Sequence, residues 1–411
     1  MIDKIKQSIH ISPLFSAFSA DLIFFVPIDT LYLTLVKRLS ASEIALLTTF
    51  SLIFCIIFQK GILYISKKIG NVNSSRLGAF LLFIASIILT FGTSFVSMVV
   101  YRTIFELALM FLNMASILLK NNLNSIDQAD DYYKIRNESK ILYAVVTMIT
   151  ALSSGFLFNL DPYLPMYLSI MICFFNFVIS FLFYEDKTLI IKENIEEENS
   201  KKDFNFGSTI FLVLISNAIF FSLVKLGQSN GKLFIQYDFQ NYLSTEMVTY
   251  YLTIIVFLSR IARVLGNIIF GKLYLKFKEK ISLILSSIFC ISFILLIVGY
   301  FIKDNFTLKM IIMSIGFFLT LASRDTFQVY IENTALDITD EELHQKVMMD
   351  IEVYRKISTL ILSMLISMIL FDYDMLAVII LMLIIAIIEL IINIFLSKRF
   401  KIKYDKLFIF K

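Results

Sequence analysis

Long apolar stretches dominate this chain and restrict its fold more than any other feature of the sequence. A helix needs about 20 mainly apolar residues to cross the hydrocarbon core of a bilayer. Hydrophobic residues make up 58% of the 411 positions, which is too much apolar surface for a soluble protein to bury in one core. We therefore predict an all-α membrane protein with twelve transmembrane helices. The predicted spans are residues 12–36, 42–63, 77–95, 98–119, 140–160, 163–184, 207–226, 246–270, 280–301, 307–332, 350–371 and 375–397.

A loose internal repeat relates the two halves of the chain at a spacing of about 200 residues. Three short segments return in the same order and with similar offsets, which argues against chance. The matched segments are 21–25 with 217–221, 61–64 with 271–274, and 102–106 with 324–328. Two related bundles in tandem, with a cavity between them, are a common design of membrane carriers. The repeat therefore predicts two pseudo-symmetric six-helix bundles.

Charged residues set the predicted domain boundaries and the orientation. Residues 185–206 are rich in Glu and Lys, with few apolar residues after Ile195, and we interpret them as a charged cytoplasmic linker. The N-terminal bundle then covers 1–184, the C-terminal bundle covers 207–397, and a basic tail covers 398–411. Most Lys and Arg residues lie in loops on one side, so the positive-inside rule places both termini in the cytoplasm of a cell-membrane protein.

Several function classes are disfavoured by what the sequence contains. The net charge of +4 is concentrated at helix ends, which indicates that the basic residues set the orientation in the membrane rather than bind nucleic acid. The three cysteines lie in apolar runs, and the two histidines belong to no metal-ligand cluster. No Gly-rich phosphate loop ending in Gly-Lys-Ser or Gly-Lys-Thr is present. We expect a monomer that is not an enzyme, with no cofactor and no metal. Its expected partners are a small-molecule solute, protons or another coupling ion, and membrane lipid.

Ionisable side chains inside the predicted spans are the first functional candidates, because charges there usually face a cavity or a partner. Asp21 lies in the first span, six residues before Pro27, which permits a helix kink. Arg102 and Glu106 are four residues apart in the fourth span, so they share a helix face and can pair. Two interpretations remain open. In the first, the charges form a static ion pair. In the second, Asp21 and Glu106 exchange protons, and Arg102 tunes the proton affinity of their carboxyls.

Other polar residues in or near the spans are candidates for lining a substrate cavity. Arg260 could meet an anionic group, and Arg324 repeats the position of Arg102 in the second half. The amides add uncharged donors and acceptors. The full set is Asp29, Asn113, Asn217, Gln228, Arg260, Arg324 and Gln328.

The connection after the second predicted span resembles the signature of the major facilitator superfamily. That family implies two six-helix bundles around a central cavity and alternating access by rocking. Its signature has a glycine, an acidic residue, and a glycine with basic residues, whereas Lys67 stands at the acidic place here. The second copy similarly has Leu275 at the acidic place. The resemblance assigns cytoplasmic gate loops to Gly61, Lys67, Lys68, Gly70, Gly271 and Lys276, and Arg102 to a helix-4 arginine associated with proton coupling.

The function expected from these features is secondary active transport of a small solute by alternating access, coupled to protons. Two alternatives remain. A lipid-linked oligosaccharide flippase of a different twelve-helix fold would carry a large cationic groove open to lipid. A non-transporting receptor or scaffold with a carrier fold would move no solute under any gradient.

Overall fold

The computed structural model of the chain describes residues 2–128, 131–185, 209–277, 280–324, 327 and 344–408. The regular elements among these residues are helical. They fall into two compact units, Met1–Asn199 and Ser200–Lys411. Glu185 is the one described residue of the predicted linker, and the rest of that linker lies outside the described residues. The predicted basic tail begins inside the last helix.

Seven helical elements form the first unit. Two of them begin at serine caps: Ser40 and Ser94 each accept a hydrogen bond from the backbone of the residue three positions later. Such caps satisfy backbone donors that a helix start leaves unpaired. The elements are α1 (Ile2–Ser19), α2 (Val26–Val36), α3 (Ala41–Phe91), α4 (Phe95–Leu112), α5 (Met114–Ser125), α6 (Asp131–Leu160) and α7 (Leu164–Ser180).

Six helices of the described residues form the second unit. Their buried cores are built mainly from Phe, Leu and Ile, with Phe239, Phe289, Phe293 and Phe317 among the most deeply buried side chains. The helices are α8 (Thr209–Gln240), α9 (Thr245–Phe277), α10 (Ile281–Phe301), α11 (Phe306–Ala322), α12 (His344–Asp372) and α13 (Met375–Phe408).

The helices have the length and polarity of a multi-pass membrane protein. Among the described residues, eight helical stretches are long and apolar enough to cross a bilayer, and three shorter apolar helices accompany them. Each of the twelve predicted spans overlaps one of these elements or half of one. Large apolar side chains such as Phe156 and Phe371 remain exposed on the helix surfaces, as expected where lipid replaces water as the solvent. The predicted fold class is confirmed.

Three predicted boundaries are wrong for identifiable reasons. The predicted loop 64–76 is mostly helical, because α3 continues to Phe91 and its backbone departs from helical geometry only at Gly70, with φ +81°. That left-handed conformation is accessible to glycine at little cost. Helix α8 extends to Gln240, well past the predicted end at 226, because the polar residues of its second half are buried within the protein. Helix α6 begins at Asp131, inside the predicted loop 120–140.

Candidate functional site

A break in the first membrane span positions Asp21. Helix α1 ends at Ser19 and α2 begins at Val26, so Asp21 lies in the connecting turns rather than inside a continuous helix. One carboxylate oxygen, Oδ1, accepts a hydrogen bond from the backbone N–H of Leu22 at 2.9 Å, and the side chain is half-buried. The break leaves polar backbone and a half-buried carboxyl between two helices, an arrangement tolerated inside a membrane where it lies within protein or faces a cavity.

Arg102 and Glu106 form the ion pair that their spacing predicts. The guanidinium Nη2 lies 3.3 Å from the Glu106 carboxylate Oε1 on the same face of α4, and Glu106 is only 9% exposed. Tyr101 and Asp21 are also close enough to act electrostatically on Arg102, and the Tyr101 side chain is within hydrogen-bonding reach of it. The structure therefore gathers Asp21, Tyr101, Arg102 and Glu106 into one group, the ionisable cluster. Whether it exchanges protons stays a prediction.

A cavity of about 390 Å³ with a partly polar wall is lined by residues that neighbour the ionisable cluster in the chain. Ala20 of its wall precedes Asp21 directly in the chain. Asn113 follows Glu106 by seven residues, which places both on one face of the continuing helical path. Hydroxyl and amide groups supply most of the polar wall. The lining residues are Ser16, Ser19, Ala20, Leu109, Leu112, Asn113, Ser116, Ser139 and Tyr143. Asn113 therefore lines this cavity, at the junction of α4 and α5, and its contact with a solute stays a prediction.

Asn217 lies in the second unit, at the centre of a polar contact that the sequence did not predict. Arg355 of α12 donates from Nε to the Asn217 side-chain oxygen at 2.7 Å, and from Nη1 to the Glu352 carboxylate at 2.7 Å. The guanidinium also lies 4.9 Å from the ring centre of Phe221. Asn217 and Arg355 are each 2% exposed. Arg355 lies five residues inside a predicted span, and this intramembrane charge was the signal that could have revealed it.

Arg324 shares a small void of about 10 Å³ with this contact. Asn217, Phe221 and Arg355 line the same void, so the structure brings two arginines and an amide together in the second unit. The amide nitrogen of Asn217 has no hydrogen-bond partner among the described residues. The void is too small for a solute, but it shows that Arg324 and Asn217 belong to one polar group.

The remaining cavity candidates are not gathered at these two places. Asp29 is half-buried in α2, where Oδ1 accepts from the backbone N–H of Thr30 at 2.7 Å, and it acts electrostatically on Tyr101 of the ionisable cluster. Arg260 is buried in α9, and Gln228 is half-buried in α8. Gln328 lies outside the described residues.

Comparisons with known proteins identify the fold. Neither a protein-family model nor a curated protein sequence matches the chain. The solved nucleoside transporter NupG is similar with a TM-score of 0.67 at 13% identity, over 97% of this chain and 99% of that chain. A bacterial homologue of the iron transporter ferroportin, in an inward-facing state, gives 0.70 at 13% identity over the same shares. A D-xylose–proton symporter gives 0.67 at 13% identity over 95% and 96%. The chain has the major facilitator fold.

The residues that resemble the major facilitator signature are helical rather than looped. Gly61, Lys67 and Lys68 lie within α3, with Lys67 and Lys68 exposed, and Gly70 provides the one break in this stretch. In the second copy, Gly271 and Lys276 lie in the last turns of α9. The gate-loop assignment is therefore corrected to a helix kink at Gly70 in the first copy. The gating role itself remains a prediction.

Residues just after this kink hold the end of α7 in the first unit. Asn71 and Asn121 donate from their amides to the Glu185 carboxylate at 2.7 and 3.1 Å. Arg76 donates to three carbonyl oxygens at and just after the end of α7, namely those of Ser180, Phe181 and Phe183. Cationic groups at helix C-termini satisfy carbonyls that lack intrahelical partners. These amides and Arg76 connect the kink to the end of α7 without the acidic residue of the signature.

A buried ion pair in the second unit also escaped sequence reasoning. Lys309 of α11 donates to both carboxylate oxygens of Asp238 in α8, at 2.8 and 2.7 Å. The Lys309 ammonium lies 4.8 Å from the Tyr242 ring centre and 5.5 Å from that of Tyr300. Asp238 fell in a predicted loop, and Lys309 fell two residues inside a predicted span. Only the fold shows that both are buried and face each other.

Proposed function

We propose that this protein is a secondary active transporter that moves a small polar solute across the cell membrane by alternating access, with protons as the coupling ion. The observation that carries the proposal is the ionisable cluster beside a 390 Å³ polar cavity within the first unit. The major facilitator fold supplies the setting, because structures similar to this chain include transporters and a proton symporter.

The charge balance of the cluster favours a role in proton binding. One guanidinium, that of Arg102, faces two carboxyl groups, those of Asp21 and Glu106. With both carboxyls ionised, these three groups carry a net charge of −1, and binding of one proton makes them neutral. A buried net charge is costly where water is scarce. Because the two carboxyls share one cation, a proton on either carboxyl leaves Arg102 with the other.

The cavity wall favours a small polar solute over a large or purely apolar one. Its polar groups are mainly hydroxyls of Ser16, Ser19, Ser116 and Tyr143, with the Asn113 amide. Hydroxyl and amide groups both donate and accept hydrogen bonds. A volume of about 390 Å³ is at the small end of the usual range for ligand pockets. The cavity therefore suits a solute that carries several hydroxyl or amide groups and no full charge.

The carrier hypothesis is tested with purified protein in liposomes. A panel of polar solutes is first screened for thermal stabilisation, since a ligand that binds the folded state raises its melting temperature. Uptake of a stabilising solute is then measured with and without an inward pH gradient. We expect Asp21→Asn to abolish the stimulation by the gradient. The exposed carboxyl of Asp372 provides the matched control, and Asp372→Asn is expected to retain the stimulation.

Two outcomes would reject parts of this proposal. If no solute moves in wild-type liposomes under any gradient, the protein is a non-transporting scaffold with a carrier fold. If Asp21→Asn transports the solute with full stimulation by the pH gradient, Asp21 does not take part in coupling.

A further inference from the structure

A buried glutamate in the second unit has no role in the site described above. Glu389 of α13 is 1% exposed and lies where α8, α10 and α13 meet. Its carboxylate oxygen Oε1 accepts hydrogen bonds from the Ser216 hydroxyl at 2.7 Å and the Asn393 amide at 2.6 Å. Its other oxygen, Oε2, is buried and has no hydrogen-bond partner in the structure.

The side chains that hydrogen-bond to Glu389 within the described part of the chain are uncharged. Asn393 also donates to the Ser286 hydroxyl of α10 at 3.0 Å. Cys290 of α10 is the titratable group close enough to interact electrostatically with the carboxyl. Arg355 of α12 is a cation of the same unit, and its guanidinium donates to Asn217 and Glu352. Among the described residues, none of the salt bridges involves Glu389.

This geometry is unsuited to a carboxylate and suited to a carboxylic acid. An ionised carboxyl buried without a cation carries a large desolvation cost, and such groups become neutral instead. Oε1 accepts two hydrogen bonds, as the carbonyl oxygen of a carboxylic acid can. Oε2 is then the hydroxyl oxygen that carries the proton. The Asp238–Lys309 pair in the same unit shows the contrasting arrangement, in which a buried carboxylate has its cation.

The geometry points to a second proton-binding site, formed by Glu389 with Ser216 and Asn393, in which Glu389 carries the proton on Oε2. The site lies in the other compact unit from the ionisable cluster, and it does not depend on the proposed transport function. Its ligand is a single proton. Ser216 and Asn393 position the carboxyl and polarise its carbonyl oxygen.

Infrared difference spectroscopy of the reconstituted protein tests the protonation state directly. A neutral carboxylic acid has a carbonyl-stretch band that a carboxylate lacks. At neutral pH we expect the wild type to show this band, and Glu389→Gln to lose the absorbance of one carboxyl group per chain. Asp372→Asn is the matched control, because that carboxyl is exposed, and it should leave the band unchanged. Absence of the band in the wild type, or its full retention in Glu389→Gln, would overturn the proposal.

A second variant keeps the test decisive if Glu389→Gln does not fold. Ser216→Ala removes one hydrogen bond to the carbonyl oxygen Oε1 and leaves the carboxyl in place. We expect the neutral-acid band to persist and to shift to higher frequency, because a carbonyl that accepts fewer hydrogen bonds has a stiffer C=O bond. A band that does not shift in Ser216→Ala would show that the absorbing acid is another residue.

Discussion

At the scale of single residues, the two units use different means to hold charge within the bilayer. Arg102 faces two carboxyls and its side chain is 25% exposed, whereas Lys309 is enclosed with one carboxyl and two aromatic rings. An ion pair with balanced charge and full burial is suited to a structural role. A cluster with an excess carboxyl is suited to proton exchange. The two arrangements therefore predict different responses to substitution.

The Asp238–Lys309 pair is expected to stabilise the second unit rather than to take part in transport. Removing one partner leaves the other charge buried and uncompensated, which costs about 3–5 kcal/mol. Asp238→Asn or Lys309→Met should each lower the free energy of unfolding by that amount, measured by denaturation in detergent. The double variant leaves no unpaired charge, so its loss should be clearly smaller than the sum of the two single losses. Additive losses would show that the pair does not act as a unit.

Sequence reasoning at this scale found the Arg102–Glu106 pair but passed over three other ionisable residues in the predicted spans. The spacing of Arg102 and Glu106 was sufficient to predict their contact, because four residues fix a shared helix face. Arg355, Lys309 and Glu389 lie inside or near predicted spans, and their charges were visible. Their partners come from helices distant in sequence, at separations of 138, 71 and 173 residues. Without the fold, no local pattern indicates which of these charges is paired.

At the scale of helices, glycines lie both where a helix kinks and where the backbones of two helices come close together. Gly70 interrupts α3 with a positive φ, while Gly266 of α9 lies against α11. A Cβ at Gly266 would clash with the carbonyl oxygen of Ala322. Small residues allow such backbone approach between membrane helices. The apolar periodicity predicted the helices, but their close contacts depend on where glycine faces a neighbour.

A glycine-to-alanine pair tests this helix contact. Gly266→Ala should force α9 and α11 apart and reduce the free energy of unfolding by about 1–3 kcal/mol, the usual cost of overpacking. Gly61→Ala is the matched control, because a Cβ there meets nothing within 4 Å. Alanine favours a helix over glycine by about 1 kcal/mol, so this variant should be unchanged or slightly more stable. Equal destabilisation of both variants would contradict the assigned contact. The measurement is thermal unfolding of each variant in the same detergent.

The end of a helix was predictable from the sequence only where polar residues begin at the same position at which the helix leaves the protein interior. The sequence placed the end of the seventh span near 226, because polar residues become frequent beyond that position. In the structure α8 continues to Gln240, and Lys232, Gln236 and Asp238 are buried within it. A hydropathy pattern cannot distinguish a polar loop from a polar helix surrounded by protein. The break between Ser19 and Val26 was similarly indicated only by Pro27, which lies after it.

At the scale of the whole molecule, the fold was predictable and the cargo was not. Twelve apolar stretches and a loose repeat predicted two six-helix bundles, and the resemblance to the signature pointed to the major facilitator fold, which similar structures share at 13% identity. Those structures are of transporters for a nucleoside, iron and D-xylose. The fold therefore does not fix the solute, which depends on the side chains of the cavity. In this chain those side chains are mainly hydroxyls beside an ionisable cluster.

Proton movement that accompanies solute entry tests the central claim most directly. A pH-sensitive dye inside liposomes is read when a transported solute is added outside, with no imposed gradient. The wild type is expected to acidify the interior as the solute enters. Glu106→Gln, which keeps the shape of the side chain but cannot exchange a proton, should exchange labelled for unlabelled solute while moving no protons. Solute-dependent acidification of wild-type magnitude in Glu106→Gln would contradict the assignment of this cluster as the coupling site.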